Sequence, residues 1–149
     1  MREQFTEMMK ASMKSGDKPR LATVRMIMAA LKDRDIEART TGKPLGNEEI
    51  LALLQKMIKS RQESADIYAN AGRPELEAQE RGEIAIISEF LPKQMTEEEV
   101  KAAVAAAITE TGAASMKDMG KVVASLRAKF AGQMDFGKAS GVVKSLLAG

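Results

Sequence analysis

Asp33 and Glu37 stand four residues apart in the run Lys32-Asp33-Arg34-Asp35-Ile36-Glu37-Ala38-Arg39. On a helix that spacing sets both carboxylates on one face, where they could hold a cation or pass a proton. The same spacing pairs Asp35 with Arg39, and an exposed ion pair of that kind contributes about 0.3–0.5 kcal/mol. A solvated, ion-paired face is the better account of the run. Lys59 and Arg61, followed by Tyr68 and Arg73, form a second concentration of polar groups and a candidate anion site. The ordinary reading pairs Lys59 with Glu63, half-buries the Tyr68 ring and makes Gly72 a left-handed helix cap. That ordinary reading is favoured.

The chain has no histidine and no cysteine. Imidazole bases, thiolate nucleophiles, disulfides and Cys/His zinc sites are thereby excluded. Its serines and threonines lack a histidine to activate them, and a Ser-Lys pair would need a desolvated lysine that these amphipathic positions do not suggest. No GxxxxGK[ST] loop and no GxGxxG turn occurs, which removes those two routes to ATP or dinucleotide binding. No catalytic residue, metal site or cofactor is expected.

Lysine and glycine alternate differently near the end of the chain. Residues 1–91 carry 15 Lys and Arg against 15 Asp and Glu, whereas residues 113–149 carry 6 against 2. Lys117, Lys121, Arg127, Lys129, Lys138 and Lys144 are interleaved with Gly120, Gly132, Gly137 and Gly141. Glycine allows close approach of a phosphate backbone, and helix starts near Ser115 and Asp135 offer free N–H groups. Lys117, Gly120, Lys121, Lys129 and Lys138 are therefore the RNA-contact candidates. Six cations in such a stretch are also ordinary for a solvated surface, and no stacking aromatics reinforce them.

The elements that position these groups read as helices throughout. Hydrophobic residues make up 44% and charged residues 30%, a balance that packs into a globular core instead of remaining disordered. Aromatics are scarce, so Leu, Ile, Val, Ala and 11 Met must fill the core, as in helix bundles. Helical spacing predicts a first helix over 2–15 with Phe5, Met8 or Met9, and Met13 on one face, stopped by Gly16. A second opens near Pro19, suited to a first-turn position, and carries Leu21, Val24, Ile27, Met28 and Leu31 towards Arg39. Asn47 is the expected cap of a third helix, which buries Leu51, Leu54, Ile58 and Ala65 and ends at Gly72. The fourth runs from Pro74 to Phe90, where Leu91-Pro92 interrupts it.

Thr96-Glu97-Glu98-Glu99 is a capping box that opens a fifth helix to Thr111. Ser115 to Asp118 caps a sixth, with Val122, Leu126 and Phe130 inward and Gly132 at its end. Asp135 caps the last, whose apolar face holds Val142, Val143, Leu146 and Leu147. The expected fold is all-α: an N-terminal four-helix unit, residues 1–91, then a smaller three-helix unit, residues 92–149. No stretch of about 18 apolar residues and no signal-peptide core is found, so no membrane association is expected and the cytoplasm is the expected location.

Four blocks carry a resemblance: Ala30-Leu31-Lys32-Asp33-Arg34-Asp35-Ile36, Tyr68-Ala69-Asn70-Ala71-Gly72-Arg73, Phe90-Leu91-Pro92-Lys93-Gln94-Met95 and Lys117-Asp118-Met119-Gly120-Lys121-Val122. Over nearly its whole length the chain resembles the YqeY family, the GatB/YqeY-like proteins. The C-terminal region of that family is similar to the tail of the B subunit of the tRNA-dependent amidotransferase, and the family is related to the N-terminal appendage of some glutaminyl-tRNA synthetases. The resemblance implies a tRNA-associated helical module without chemistry of its own. Any carbon–nitrogen ligase label with glutamine as amido donor would come through the shared tail. It also implies an aminoacyl-tRNA synthetase or an amidotransferase subunit as a partner, and a protein-protein adaptor acting without RNA is the alternative. Many relatives carry Gly-Arg-Ala-Asp-Gly where this chain has Gly132-Gln133-Met134-Asp135-Phe136-Gly137. The missing arginine removes one expected phosphate ligand from that loop.

Overall fold

The computed structural model describes residues 1–148. The chain is all-α, with seven α-helices and one 3₁₀ turn and no strand among the described residues. The helices are α1 (Arg2–Ser15), α2 (Lys18–Thr41), α3 (Asn47–Asn70), α4 (Pro74–Ser88), α5 (Glu97–Thr111), α6 (Met119–Phe130) and α7 (Phe136–Ala148). The 3₁₀ turn, Met116–Asp118, immediately precedes α6. Two compact units result, Met1–Leu91 and a second that starts at Pro92.

In the first unit the core is built on Phe5, Val24, Ile27, Leu54 and Ile87, each fully buried. Such side chains contribute about 1.5–3 kcal/mol apiece by leaving water. Phe5 meets Phe90 edge-on, with ring centroids 4.7 Å apart at 64°, so the second residue after α4 packs on the first turn of α1. Arg20 reinforces the same end of the unit, since its guanidinium joins Asp17 at the start of α2 to Glu89 at the end of α4.

Local chemistry corrects several sequence expectations. Helix α2 has Pro19 in its first turn as expected and runs to Thr41; its cap is Asp17, whose carboxylate accepts from the Arg20 N–H at 3.2 Å. Gly46, not Asn47, stands at the N-terminus of α3, with the Glu49 carboxylate accepting from the Gly46 N–H at 2.9 Å. Helix α4 ends at Ser88 because the next N–H groups turn to carbonyls three residues back, Phe90 to Ile87 and Leu91 to Ser88. Met13 is 56% exposed, and its neighbour Ser12 is buried instead. The Ser12 hydroxyl donates to the Met8 carbonyl at 2.7 Å, so a small polar side chain can face the neighbouring helix without an unmet hydrogen bond.

The core of the second unit is Val104, Val122, Leu126, Met134, Ala139 and Val143. Thr96 caps α5 as expected, exchanging bonds with Glu99 in both directions. Asp135 caps α7 by accepting from the Gly137 N–H at 2.8 Å and the Lys138 N–H at 3.4 Å. Leu146, expected on the apolar face of α7, is 49% exposed. The stretch between Pro92 and Thr96 is tied to the loop joining α6 and α7. Met95 N–H donates to the Gln133 carbonyl at 2.8 Å, and the Gln94 side-chain amide to the Gly132 carbonyl at 2.6 Å.

Candidate functional site

The cationic groups of the second unit divide by how they are held. Lys117 lies exposed in the 3₁₀ turn, and Lys121 lies exposed in the first turn of α6. The turn itself is locked by Asp118, whose carboxylate accepts from the Ala114 N–H at 3.0 Å and the Ser115 N–H at 3.4 Å. These two backbone bonds hold the Asp118 carboxyl below the ordinary carboxylate range, and the nearby Lys121 charge adds to the effect. Because Asp118 is committed to the backbone, it forms no ion pair with either lysine, and among the described residues neither Lys117 nor Lys121 is in one. Gly120 sits between them, and a β-carbon added there would meet open space.

Lys129 is differently placed. Its ammonium pairs with Glu110 on α5, and it lies eight residues beyond Lys121, about 12 Å along the helix axis. Lys138 is exposed in the first turn of α7 and, with Lys101, lines a cleft of about 360 Å³. The Arg127 guanidinium lies 5.5 Å from the Phe136 ring centroid, a cation–π contact that ties α6 to the start of α7. The structure therefore brings Lys117, Gly120 and Lys121 into one exposed corner, with Lys129 and Lys138 apart from it. In the loop between α6 and α7, Gly132 and Met134 are buried and Gln133 is half-buried. The Gly132 and Gln133 carbonyls hold the Pro92–Thr96 stretch, which makes this loop a structural joint.

The candidate anion site of the first unit does not gather. Arg61 is held by Glu83 at 2.9 Å, with both side chains largely buried at 16% and 17% exposure. Lys59 points to solvent, in no ion pair with Glu63 or any other group among the described residues. Tyr68 is half-buried as expected, nine residues beyond Lys59 and about 13 Å along α3. Arg73 sits at the start of α4, its N–H donating to the Tyr68 carbonyl at 2.9 Å. Asp35 also departs from expectation. Its carboxylate is gripped by both terminal nitrogens of Arg2 at 2.7 and 2.8 Å, and Arg39 acts on it only through space. The Arg2 hydrogen bonds are the main reason its carboxyl lies below the ordinary range.

Among the described residues no three carboxylates are grouped to hold a metal ion, and no helix is long and apolar enough to cross a membrane. Sequence reasoning missed the gathering of Arg2, Arg39 and Lys43 around one hollow at the end of α2. Two cations flanking Gly42 were its only local signal, since Arg2 arrives from another helix.

A family model described as a Yqey-like protein matches residues 2–147. The chain belongs to the YqeY family. This YqeY-family chain is similar to altered inheritance of mitochondria protein 41, mitochondrial, of Pyrenophora tritici-repentis, with 34% identity over 83 residues that cover 55% of the chain and 44% of the relative. It is also similar to the protein of the same name from Eremothecium gossypii, with 28% identity over 83 residues, 56% of the chain and 44% of the relative. The matched segment spans less than half the length of either curated relative.

Proposed function

We propose that this YqeY-family chain is a non-catalytic helical module that associates with tRNA through phosphate contacts of its second unit. The observation that carries the reading is the exposed corner of Lys117, Gly120 and Lys121, whose two ammonium groups are in no ion pair among the described residues while Asp118 bonds to the backbone of the turn. Unpaired ammonium groups beside an open glycine suit phosphate oxygens, which position a protein on RNA without reading its bases. The resemblance of the C-terminal region to the amidotransferase B-subunit tail supports tRNA as the RNA, and the proposed compartment is the cytoplasm. Lys129 contributes less, because it must first leave Glu110.

Filter binding of bulk tRNA to the full chain at about 50 and 200 mM salt tests the proposal. Affinity falls steeply with salt, and K117A/K121A flattens the log–log slope by about two, one for each phosphate contact removed. Undetectable binding at low salt, or binding indifferent to those two substitutions, defeats it.

A second reading, an adaptor that docks a synthetase or an amidotransferase subunit, is favoured by the exposure of Ile36, Ile67 and Leu146 at 49%, 65% and 49%. It requires a protein partner that co-purifies after nuclease treatment and is released by I36S or I67S in the first unit, or by L146S in the second.

A further inference from the structure

We propose that the hollow at the C-terminal end of α2, in the first unit, binds a phosphate group. The hollow measures about 520 Å³ and is lined by Arg2, Asp35, Ala38, Arg39, Gly42, Lys43 and Pro44. Three cations face one carboxylate. That carboxylate is already neutralised, since Arg2 grips both oxygens of Asp35 at 2.7 and 2.8 Å. Arg39 and Lys43 remain exposed and in no ion pair among the described residues, which leaves the lining with an excess of positive charge.

Cations at the end of a helix ordinarily serve its free carbonyls. Here two carbonyls near the end of α2 take other donors. The Thr40 hydroxyl donates to the Glu37 carbonyl at 2.7 Å, while the Thr41 hydroxyl and the Gly42 N–H each donate to the Ala38 carbonyl at 3.0 Å. Gly42, with φ of 74°, then ends α2, and Lys43 follows it in the lining of the same hollow. A guanidinium fork and a separate ammonium in the lining of one hollow suit a tetrahedral anion, which offers several acceptor oxygens.

The phosphate has two sources, a nucleic-acid backbone or a free inorganic or nucleotide phosphate. The hollow belongs to the first unit, and its chemistry stands independently of the lysine corner in the second.

The test is a ¹H–¹⁵N NMR titration of the full chain with inorganic pyrophosphate at low salt. Saturable shifts are expected at the amides of residues 38–43, weakened about tenfold in R39A/K43A and retained in the charge-preserving R39K/K43R. No saturable shift at these amides, or equal affinity in R39A/K43A, overturns the proposal. Adding bulk tRNA in a K117A/K121A background separates the sources. Perturbation of the same amides that disappears with R39A/K43A identifies a nucleic-acid backbone, and pyrophosphate binding alone identifies a free phosphate. Because the pyrophosphate arm contains no RNA, its failure is distinct from a failure of tRNA binding.

Discussion

The side-chain amide of Gln94 donates to the backbone carbonyl of Gly132, 38 residues further along the chain, at 2.6 Å. The adjacent Met95 N–H repeats the connection on the Gln133 carbonyl at 2.8 Å. The stretch before α5 is thus held against the loop that closes α6, and the second unit begins with a fastened segment.

Replacing Gln94 by Met keeps the length of the side chain but removes its donors, and leaves the Gly132 carbonyl unmet. The cost is about 1–2 kcal/mol, seen as a lower urea midpoint for unfolding of the full chain. A midpoint equal to that of the parent would show that water serves the carbonyl equally well.

Arg61 and Glu83 form the least exposed ion pair among the described residues, so removing one partner strands the other in poor solvent. Glu83→Ala is expected to destabilise by about 1–3 kcal/mol, while the joint change R61M/E83L recovers much of that loss by substituting apolar packing. A double-mutant cycle measured by chemical denaturation checks the pair, and single and double variants of additive cost would refute the coupling.

Glycine positions separate conformational from functional roles. Gly132 adopts φ of 76° and is buried, so Gly132→Ala should cost about 1–2 kcal/mol. Gly120 lies in a helix with open space around it, so Gly120→Ala should raise stability by about 0.5 kcal/mol and weaken tRNA binding if the phosphate backbone approaches there. Thermal unfolding and filter binding together read both signs.

The lowered carboxyl pKa of Asp118 makes a pH-dependent contribution to folding. The native state binds this proton less readily than the unfolded chain, so the stabilisation is complete above about pH 5 and is lost as pH falls through the lowered native value. Asp118→Asn should therefore melt below the parent at neutral pH, with the gap closing under acid. Melting temperatures across that range, with a carboxyl NMR titration, provide the check. A gap independent of pH would assign the effect to the changed cap geometry alone.

Helix existence and type were legible from residues one turn apart. Thr96 with Glu99 and Asp135 before α7 announced their caps, and glycines at 16, 72 and 132 marked ends that do adopt left-handed φ. The periodic apolar positions Val24, Ile27, Leu31, Val122 and Leu126 are buried because 3.6-residue spacing alone puts them on one face. The same rule misplaced Met13 and Leu146, since an apolar stripe is broader than the contact a neighbouring helix makes with it. The choice of partners lay beyond reach altogether. Asp35 had Arg39 one turn away and is gripped by Arg2, 33 residues distant. Arg61 answers to Glu83, 22 residues distant, and Gln94 to Gly132. Backbone hydrogen bonds four residues apart write a helix locally, whereas a charged side chain takes whichever opposite group helix packing brings within reach. That packing decided which lysines remain free and where Arg2, Arg39 and Lys43 meet.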